Sequence, residues 1–552
     1  MGIIIKSFCC VLLLVLFVSI SPVFAMPADR VNVSVEGVEG ELRENVIVML
    51  SLTERPEEGE ELTEKQLINL TDKIPAEVEA ALRPFGYYNP ATEVVISQTK
   101  SSWNVNVRIN KGEPVIITEI NFMITGPSKD IRLFRELKPP FKKGDILNHV
   151  LYNSLKRNIE VAAIDTGHFD GKFLKQAMIV NPDEGSARIH IWYETGSRYL
   201  FGKVDFEQTG YQFQESLLRS FVRFKEGDEY DGELVRRLHS DLSNSDYFES
   251  VTVQPLIEQA VGLQVPIKVS LEALKKHLYT AGVGYGTDLG VRGSLGWKNR
   301  RANNIGHKTE IDTQISEKKR LYSGQYVIPM GNPLVENFAL KGGFETEDIE
   351  NTKSDILTLR AIRSKELSLN WVGSYFLNYH EEVYTVGAVK RQTVLVLPGM
   401  SLNFTKADNL VYPFHGISLQ GEIQGANESI GSDIGLLRSS AKGKLIRRVW
   451  YTNRIIARGE LGRINSKEFD KVPASLRFYA GGDRSVRGYR YRTLGPVDEN
   501  GDVMGGRYLM AGSLEYEQSI SNKWAVAVFY DVGNAFNNLG DRLAAGAGFG
   551  IR

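Results

Sequence analysis

A chain of 552 residues is long enough for several domains. Its 66 Lys and Arg balance 67 Asp and Glu, a formal net charge of −1, so there is no basic footprint and no nucleic-acid partner is expected. Only two cysteines occur, adjacent at Cys9 and Cys10, which excludes a disulfide-built scaffold.

Residues 1–25 read as a signal peptide. Lys6 supplies the positive start, Cys9 to Val18 the apolar run, and Val23-Phe24-Ala25 a cleavage site. Both cysteines fall inside it, so the exported chain is expected to carry none. No later stretch approaches the ~20 consecutive apolar residues of a spanning helix. An exported chain of this kind could enter a lipid bilayer only as a closed β-barrel, because lipid offers the backbone no hydrogen bonds.

Residues 28–274 carry one unit written three times, with expected boundaries 28–113, 114–197 and 198–274. Phe141-Lys142-Lys143-Gly144-Asp145 returns as Phe224-Lys225-Glu226-Gly227-Asp228. Each precedes a helical pattern, Leu147, Val150, Leu151, Leu155 and Ile159 in one, Leu234, Val235, Leu238 and Leu242 in the other. The first unit is less regular; Gly59-Glu60 precedes a helix opening with Thr63 and Gln66 at capping-box spacing. The helices end in matching turns, Gly86-Tyr87-Tyr88-Asn89, Gly167-His168-Phe169-Asp170 and Asp246-Tyr247-Phe248-Glu249. Tyr88, Phe169 and Phe248 recur at ~80 residues, the mark of a repeated unit. Each unit reads β-α-α-β-β.

From residue 275 to 552 the helical period gives way to segments that alternate in polarity, the pattern of a transmembrane β-barrel. In Asn337 to Glu345, Phe338, Leu340 and Phe344 oppose Asn337, Lys341 and Glu345. Fourteen strands are expected, at 279–288, 290–301, 307–316, 320–330, 336–346, 355–366, 368–380, 392–405, 415–426, 435–449, 453–463, 507–518, 523–532 and 542–552. The first contains Gly282, Gly284 and Gly286, which weaken strand pairing.

The connection 464–506 is the longest, and it carries Gly481-Gly482-Asp483-Arg484-Ser485-Val486-Arg487-Gly488-Tyr489. A basic stretch between membrane strands needs a counter-charge or must stay in water. Alternation turns Asp531 and Glu460 inward. A loop folded back into the lumen would bring Arg487 to Asp531, with Gly488 permitting the turn and Tyr489 packing on the inner wall. On residues alone, an outward-facing polar loop is an equal reading.

Three such units before a barrel resemble polypeptide-transport-associated (POTRA) domains. Val486-Arg487-Gly488-Tyr489 matches the V-R-G-[FY] loop motif of the bacterial outer-membrane assembly superfamily, and Asp531-Val532-Gly533 its D-x-G motif. Three repeats at this length are similar to the TamA branch, the outer-membrane subunits of translocation and assembly modules. The resemblance implies that Arg487 and Asp531 pair inside the lumen, that Gly481 and Gly482 open the loop motif, and that the strand with Gly282, Gly284 and Gly286 forms a seam. It implies three periplasmic POTRA repeats and an antiparallel barrel of sixteen strands in the outer membrane of a Gram-negative bacterium. Two of those strands are expected to lie beyond Arg552. Implied partners are a TamB-like protein anchored in the inner membrane and unfolded outer-membrane or autotransporter clients. The expected function is insertion or secretion of β-barrel and autotransporter proteins. The alternative is a two-partner-secretion-type exporter or a passive pore, which a wide, charged lumen would suit. No catalytic motif, metal-spaced cluster or phosphate loop stands out, so no enzyme activity, cofactor or metal is expected.

Overall fold

The computed structural model describes residues 30–53, 64–98, 102–286, 290–349, 352–368, 370–386, 389–409, 411–450, 452–521 and 523–552. The expected signal peptide and Gly59, Glu60 and Thr63 of the first repeat lie outside these residues. The chain divides into two compact units, one ending at Tyr199 and the other running from Leu200 to Arg552.

The first unit holds two β-α-α-β-β folds. One is built from β1 (Arg30–Glu36), α1 (Gly40–Met49), a second helix in two pieces, α2 (Glu64–Thr71) and α3 (Ile74–Leu82), then β2 (Ala91–Gln98) and β3 (Ser102–Asn110). The other comprises β4 (Ile116–Thr125), α4 (Arg132–Glu136), α5 (His149–Asp165), β5 (Lys172–Asn181) and β6 (Ser186–Glu194). The second unit opens with a third copy: β7 (Leu200–Thr209), α6 (Glu215–Arg219), α7 (Gly232–Ser243), β8 (Phe248–Pro255) and β9 (Gln264–Ala273). In every copy the last strand is central, parallel to the first and antiparallel to the second. A parallel pair needs a crossover, and the helices supply it.

Each helix buries one stripe. In α5 this is Tyr152, Leu155, Ile159, Ala162 and Ala163, packed against Ile189, Ile191 and Tyr193 of β6. The Asn148 side chain starts that helix by accepting from the backbone N–H groups of Val150 (2.9 Å) and Leu151 (3.2 Å). Asp231 caps α7 in the same way through Glu233 N–H. The three matching turns share a geometry. Gly86, Gly167 and Asp246 have φ of +89°, +76° and +62°, and each is followed by a buried ring, Tyr87, His168 or Tyr247.

The rest of the second unit is one antiparallel sheet of fourteen strands, each paired with its neighbours in sequence. They are β10 (His277–Gly286), β11 (Gly290–Asn299), β12 (Lys308–Ser316), β13 (Lys319–Pro329), β14 (Asn337–Ile349), β15 (Thr352–Ser368), β16 (Trp371–Val386), β17 (Val389–Ala407), β18 (Gly416–Ala426), β19 (Leu436–Trp450), β20 (Asn453–Asn465), β21 (Tyr508–Ser519), β22 (Ala525–Phe536) and β23 (Ala544–Ile551). Among the described residues β10 and β23 are its two edges and are not bonded to each other. Leu340, Leu359, Tyr375, Leu461, Leu514, Val528 and Phe549 are exposed on one face. Glu347, Glu382, Arg454, Glu515, Glu517 and Asp531 are buried on the other. A soluble sheet does the reverse; this one shows its oily side to a lipid-like surround and folds its charges inward.

Strands β15, β16 and β17 run to 17, 16 and 19 residues, longer than their expected spans. Their inner faces meet the connection that follows β20. Tyr384 Oη and Thr393 Oγ1 donate to the carbonyl of Lys471 (3.0 and 3.2 Å) in the 466–507 connection. Leu395 and Leu397 join a buried cluster with Phe469, Val472, Phe478 and Ala480 of that connection and Leu436, Ile464, Leu509 and Ala535 of the wall.

Candidate functional site

The connection between β20 and β21 lies against the charged face of the sheet, and its backbone is tied there at several points. The Arg477 guanidinium donates to the carbonyls of Val472, Met504 and Asp470 at 2.8 to 2.9 Å, which folds the connection on itself. Glu382, fully buried in β16, accepts from Ser475 N–H (3.2 Å) and from Ser354 Oγ (2.8 Å). Arg492 reaches Glu347 of β14 (2.7 Å), which Lys319 also holds (2.9 Å). Arg438 donates to the Leu476 carbonyl (3.1 Å) with its guanidinium over the Phe478 ring.

The densest anchor is Arg487. Its Nε and Nη2 donate to Asp531 Oδ2 and Oδ1 at 2.7 and 2.8 Å, a two-pronged pair. Its own backbone N–H donates to Oδ2 as well (3.0 Å). Nη1 donates to Glu515 Oε2 (2.6 Å), and Nη2 also reaches Ser513 Oγ (3.0 Å). The guanidinium lies 3.5 Å from the Phe529 ring centroid. Asp531 and Ser513 face each other across β22 and β21, and Glu515 faces Phe529, so register alone builds this cradle. Glu515 also meets Arg552 (2.7 Å); Arg552 meets Glu517 (3.1 Å); Arg454 grips Glu517 through Nε and Nη2 (2.8 and 3.2 Å). Three carboxylates thus alternate with three guanidiniums. Such neutralisation is what lets the charges sit out of bulk water, since a buried charge without a partner is expensive.

The turn that delivers Arg487 is closed by a bond from Gly482 N–H to the Tyr489 carbonyl (3.0 Å). Gly481, Gly482 and Gly488 have φ of +97°, +95° and +93°, which only glycine adopts freely. Val486 is fully buried beside the wall. A methyl at Gly546 of β23 would come within 2.1 Å of the Arg487 carbonyl oxygen, so that strand needs glycine where the loop presses on it.

Three family models match the chain: the Omp85 superfamily domain over residues 283–552, the POTRA domain TamA domain 1 over 32–111, and the surface antigen variable number repeat, a POTRA model, over 199–273. The chain belongs to the Omp85 superfamily. Its relatives include the outer membrane protein assembly factor BamA of Nitratidesulfovibrio vulgaris, 23% identical over 353 residues. That match takes in 60% of this chain and 44% of the relative, so the chain spans under half of that relative's length. Among solved structures, BamA from Haemophilus ducreyi lacking POTRA domains 1–3 superposes with a TM-score of 0.57 at 19% identity, covering 79% of this chain and 93% of that one. CdiB from Escherichia coli gives 0.49 at 13% identity, covering 79% and 84%. This Omp85 protein is an outer-membrane protein with periplasmic POTRA domains, and its fourteen-stranded antiparallel sheet matches a BamA-type barrel.

Not every expected site residue joins the Omp85 loop cradle. Glu460 is not a partner of Arg487; it pairs with Lys442 across β19 and β20 (2.8 Å). It sits opposite Ala511, one row away from the Ser513–Asp531 pair, and strand alternation cannot tell rows apart. Tyr489 does not pack on the inner wall as expected; it is 38% exposed. Gly533 lies close under Met510 and Ala511, where a methyl would meet the Met510 carbonyl oxygen at 2.7 Å. Gly282, Gly284 and Gly286 all lie in edge strand β10; nothing is within 4 Å of a methyl at Gly286. The sequence reading missed Glu515 and the Arg492–Glu347 pair. Inward alternation in β21 marks Glu515 and Glu517 alike, so the signal existed for the face but not for the partner.

Ser475, His380 and Glu382 also touch, yet Ser475 Oγ and Glu382 Oε2 meet the same ring nitrogen, Nε2. A proton relay needs the two imidazole nitrogens to serve different partners, so this trio fastens the loop and is not a hydrolytic triad. Among the described residues no group of three His, Cys, Asp or Glu side chains could hold a metal ion.

Proposed function

We propose that this Omp85 protein is an outer-membrane assembly factor that helps insert or secrete β-barrel and autotransporter proteins, working with a TamB-like partner anchored in the inner membrane. The observation that most supports this reading is the glycine-rich first barrel strand β10, where the family resemblance puts the seam that exchanges strands. Its glycines soften it, and Val283 is 94% exposed. An unfolded client is itself a set of strands looking for partners, and strand addition to a free edge is the natural way to receive one. The strapped loop would keep the lumen-side wall rigid while that seam exchanges partners. The assignment to the TamA branch is supported by the TamA-type POTRA match in the first repeat.

The test uses charge reversal in cells that depend on this copy for an autotransporter client. Asp531→Arg and Arg487→Asp should each lower surface display of the client severalfold, and the double variant should recover part of it. Display at the normal level in both single variants would remove the pair, and the strapped loop with it, from the mechanism.

A further inference from the structure

A cavity of about 380 Å³ lies beneath the turn at Arg484 and Ser485, walled by β18 to β21. Four cationic side chains line it, Lys442, Lys444, Arg458 and Arg484, against one carboxylate, Glu460. That carboxylate is already taken by Lys442. Lys444 and Arg458 stand directly opposite each other on β19 and β20, an arrangement that costs stability when nothing lies between the charges. Arg458 donates to Ser513 Oγ (3.1 Å), but among the described residues no carboxylate lies within ion-pair distance of Lys444, Arg458 or Arg484. The Ser485 hydroxyl is shielded from solvent and has no hydrogen-bond partner. The Arg487 ladder matches each of its charges, whereas this cavity gathers three cations with no carboxylate at ion-pair distance.

We propose that this cavity is a binding site for a phosphoryl anion. A single carboxylate would cancel one of the three charges, whereas a phosphate dianion cancels two. Its oxygens also suit a guanidinium fork, an ammonium and a hydroxyl together. The volume exceeds that of bare phosphate and admits a phosphorylated headgroup. Free phosphate and a headgroup share the same recognising chemistry. Arg484 and Ser485 immediately precede Val486 and Arg487, so a bound anion ties the loop turn to the wall on the side away from Asp531. The docked turn would then be held from two directions, one built into the protein and one supplied by the ligand.

The full chain, purified into phosphate-free zwitterionic detergent, is titrated calorimetrically with inorganic phosphate and then with glycerol 3-phosphate. One saturable site is expected. Lys444→Gln and Arg484→Gln should each weaken it roughly tenfold or more, the worth of one charge-assisted bond. Ser485→Ala should weaken it less, and Lys353→Gln, on β15 and paired with Asp348, should leave it unchanged. Heat-modifiable gel mobility verifies that each variant is folded. Tighter binding of glycerol 3-phosphate points to a headgroup as the source, and equal or weaker binding to free phosphate; either supports the site. No saturable binding up to about 10 mM, or equal affinity in wild type and both charge variants, overturns it. No client is needed, so this result is independent of the assembly reading.

Discussion

Strand β6 of the second POTRA domain and strand β22 of the barrel are written in nearly the same alternating code, yet they bury opposite faces. In β6 the inner face is Ala187, Ile189, Ile191 and Tyr193, covered by helix α5. In β22 the buried face holds Ala525, Ala527 and Asp531, while Val528 and Tyr530 are exposed. Alternation therefore says that a strand has two faces, not which one is inside. That is decided by what lies next in the chain. An amphipathic helix beside β6 offers an apolar lid, and no such helix accompanies β22, so its apolar side must find lipid and its polar side must find counter-charges within the barrel.

The sharpest way to break the comparison is to remove a counter-charge. Asp531→Asn leaves the Arg487 guanidinium half-matched in the barrel interior, and loss of one partner from such a buried pair costs about 3–5 kcal/mol. A lowered temperature for the heat-modifiable gel shift reads this. The parallel change in a POTRA core is Leu155→Ala, which removes apolar packing and no charge. It should cost about 2–5 kcal/mol, seen as faster hydrogen exchange confined to α5 and its sheet.

A third effect separates the two regions by pH. Burial pushes the His168 imidazole down from 6.5 to about 4, with Arg198 adding to the shift. Thr166 Oγ1 bonds its Nδ1, and its Nε2 is buried without a partner. Because the folded state resists protonation that the unfolded state accepts, the domain holds its full stability above pH 6.5 and loses it progressively toward pH 4. Hydrogen exchange in the second POTRA domain should accelerate over that window, and His168→Phe should flatten the response. An unchanged slope in that variant would assign the pH dependence to other groups.

Much of the fold was legible because barrel strands repeat one simple rule many times. The fourteen expected strands fall on the fourteen observed, with ends displaced by a few residues, most in β15 to β17, whose inner faces meet the loop. The Arg487 and Asp531 positions stood out because a basic, glycine-rich loop and an inward carboxylate are each unusual in a membrane wall. Glu515 did not stand out, because Glu517 two residues on has the same orientation and nothing local separates them. Glu460 misled for the same reason: facing inward is not the same as lying at the right height. The Arg492–Glu347 pair joins residues 145 apart, and such closure depends on the path of the loop through the lumen.

The account turns on the loop turn lying inside the barrel wall, clamped through Arg487. The sequence has cysteines only at positions 9 and 10, so with both replaced by serine a cysteine placed in the loop is its single thiol. The decisive measurement is the labelling rate of Val486→Cys by a bulky, charged thiol reagent, compared with Tyr489→Cys three residues on. Val486 is fully buried and Tyr489 is 38% exposed, so the account predicts that position 486 stays unlabelled while 489 reacts, and that adding Asp531→Asn exposes 486. Equal, rapid labelling of both positions in the otherwise wild-type protein would contradict it.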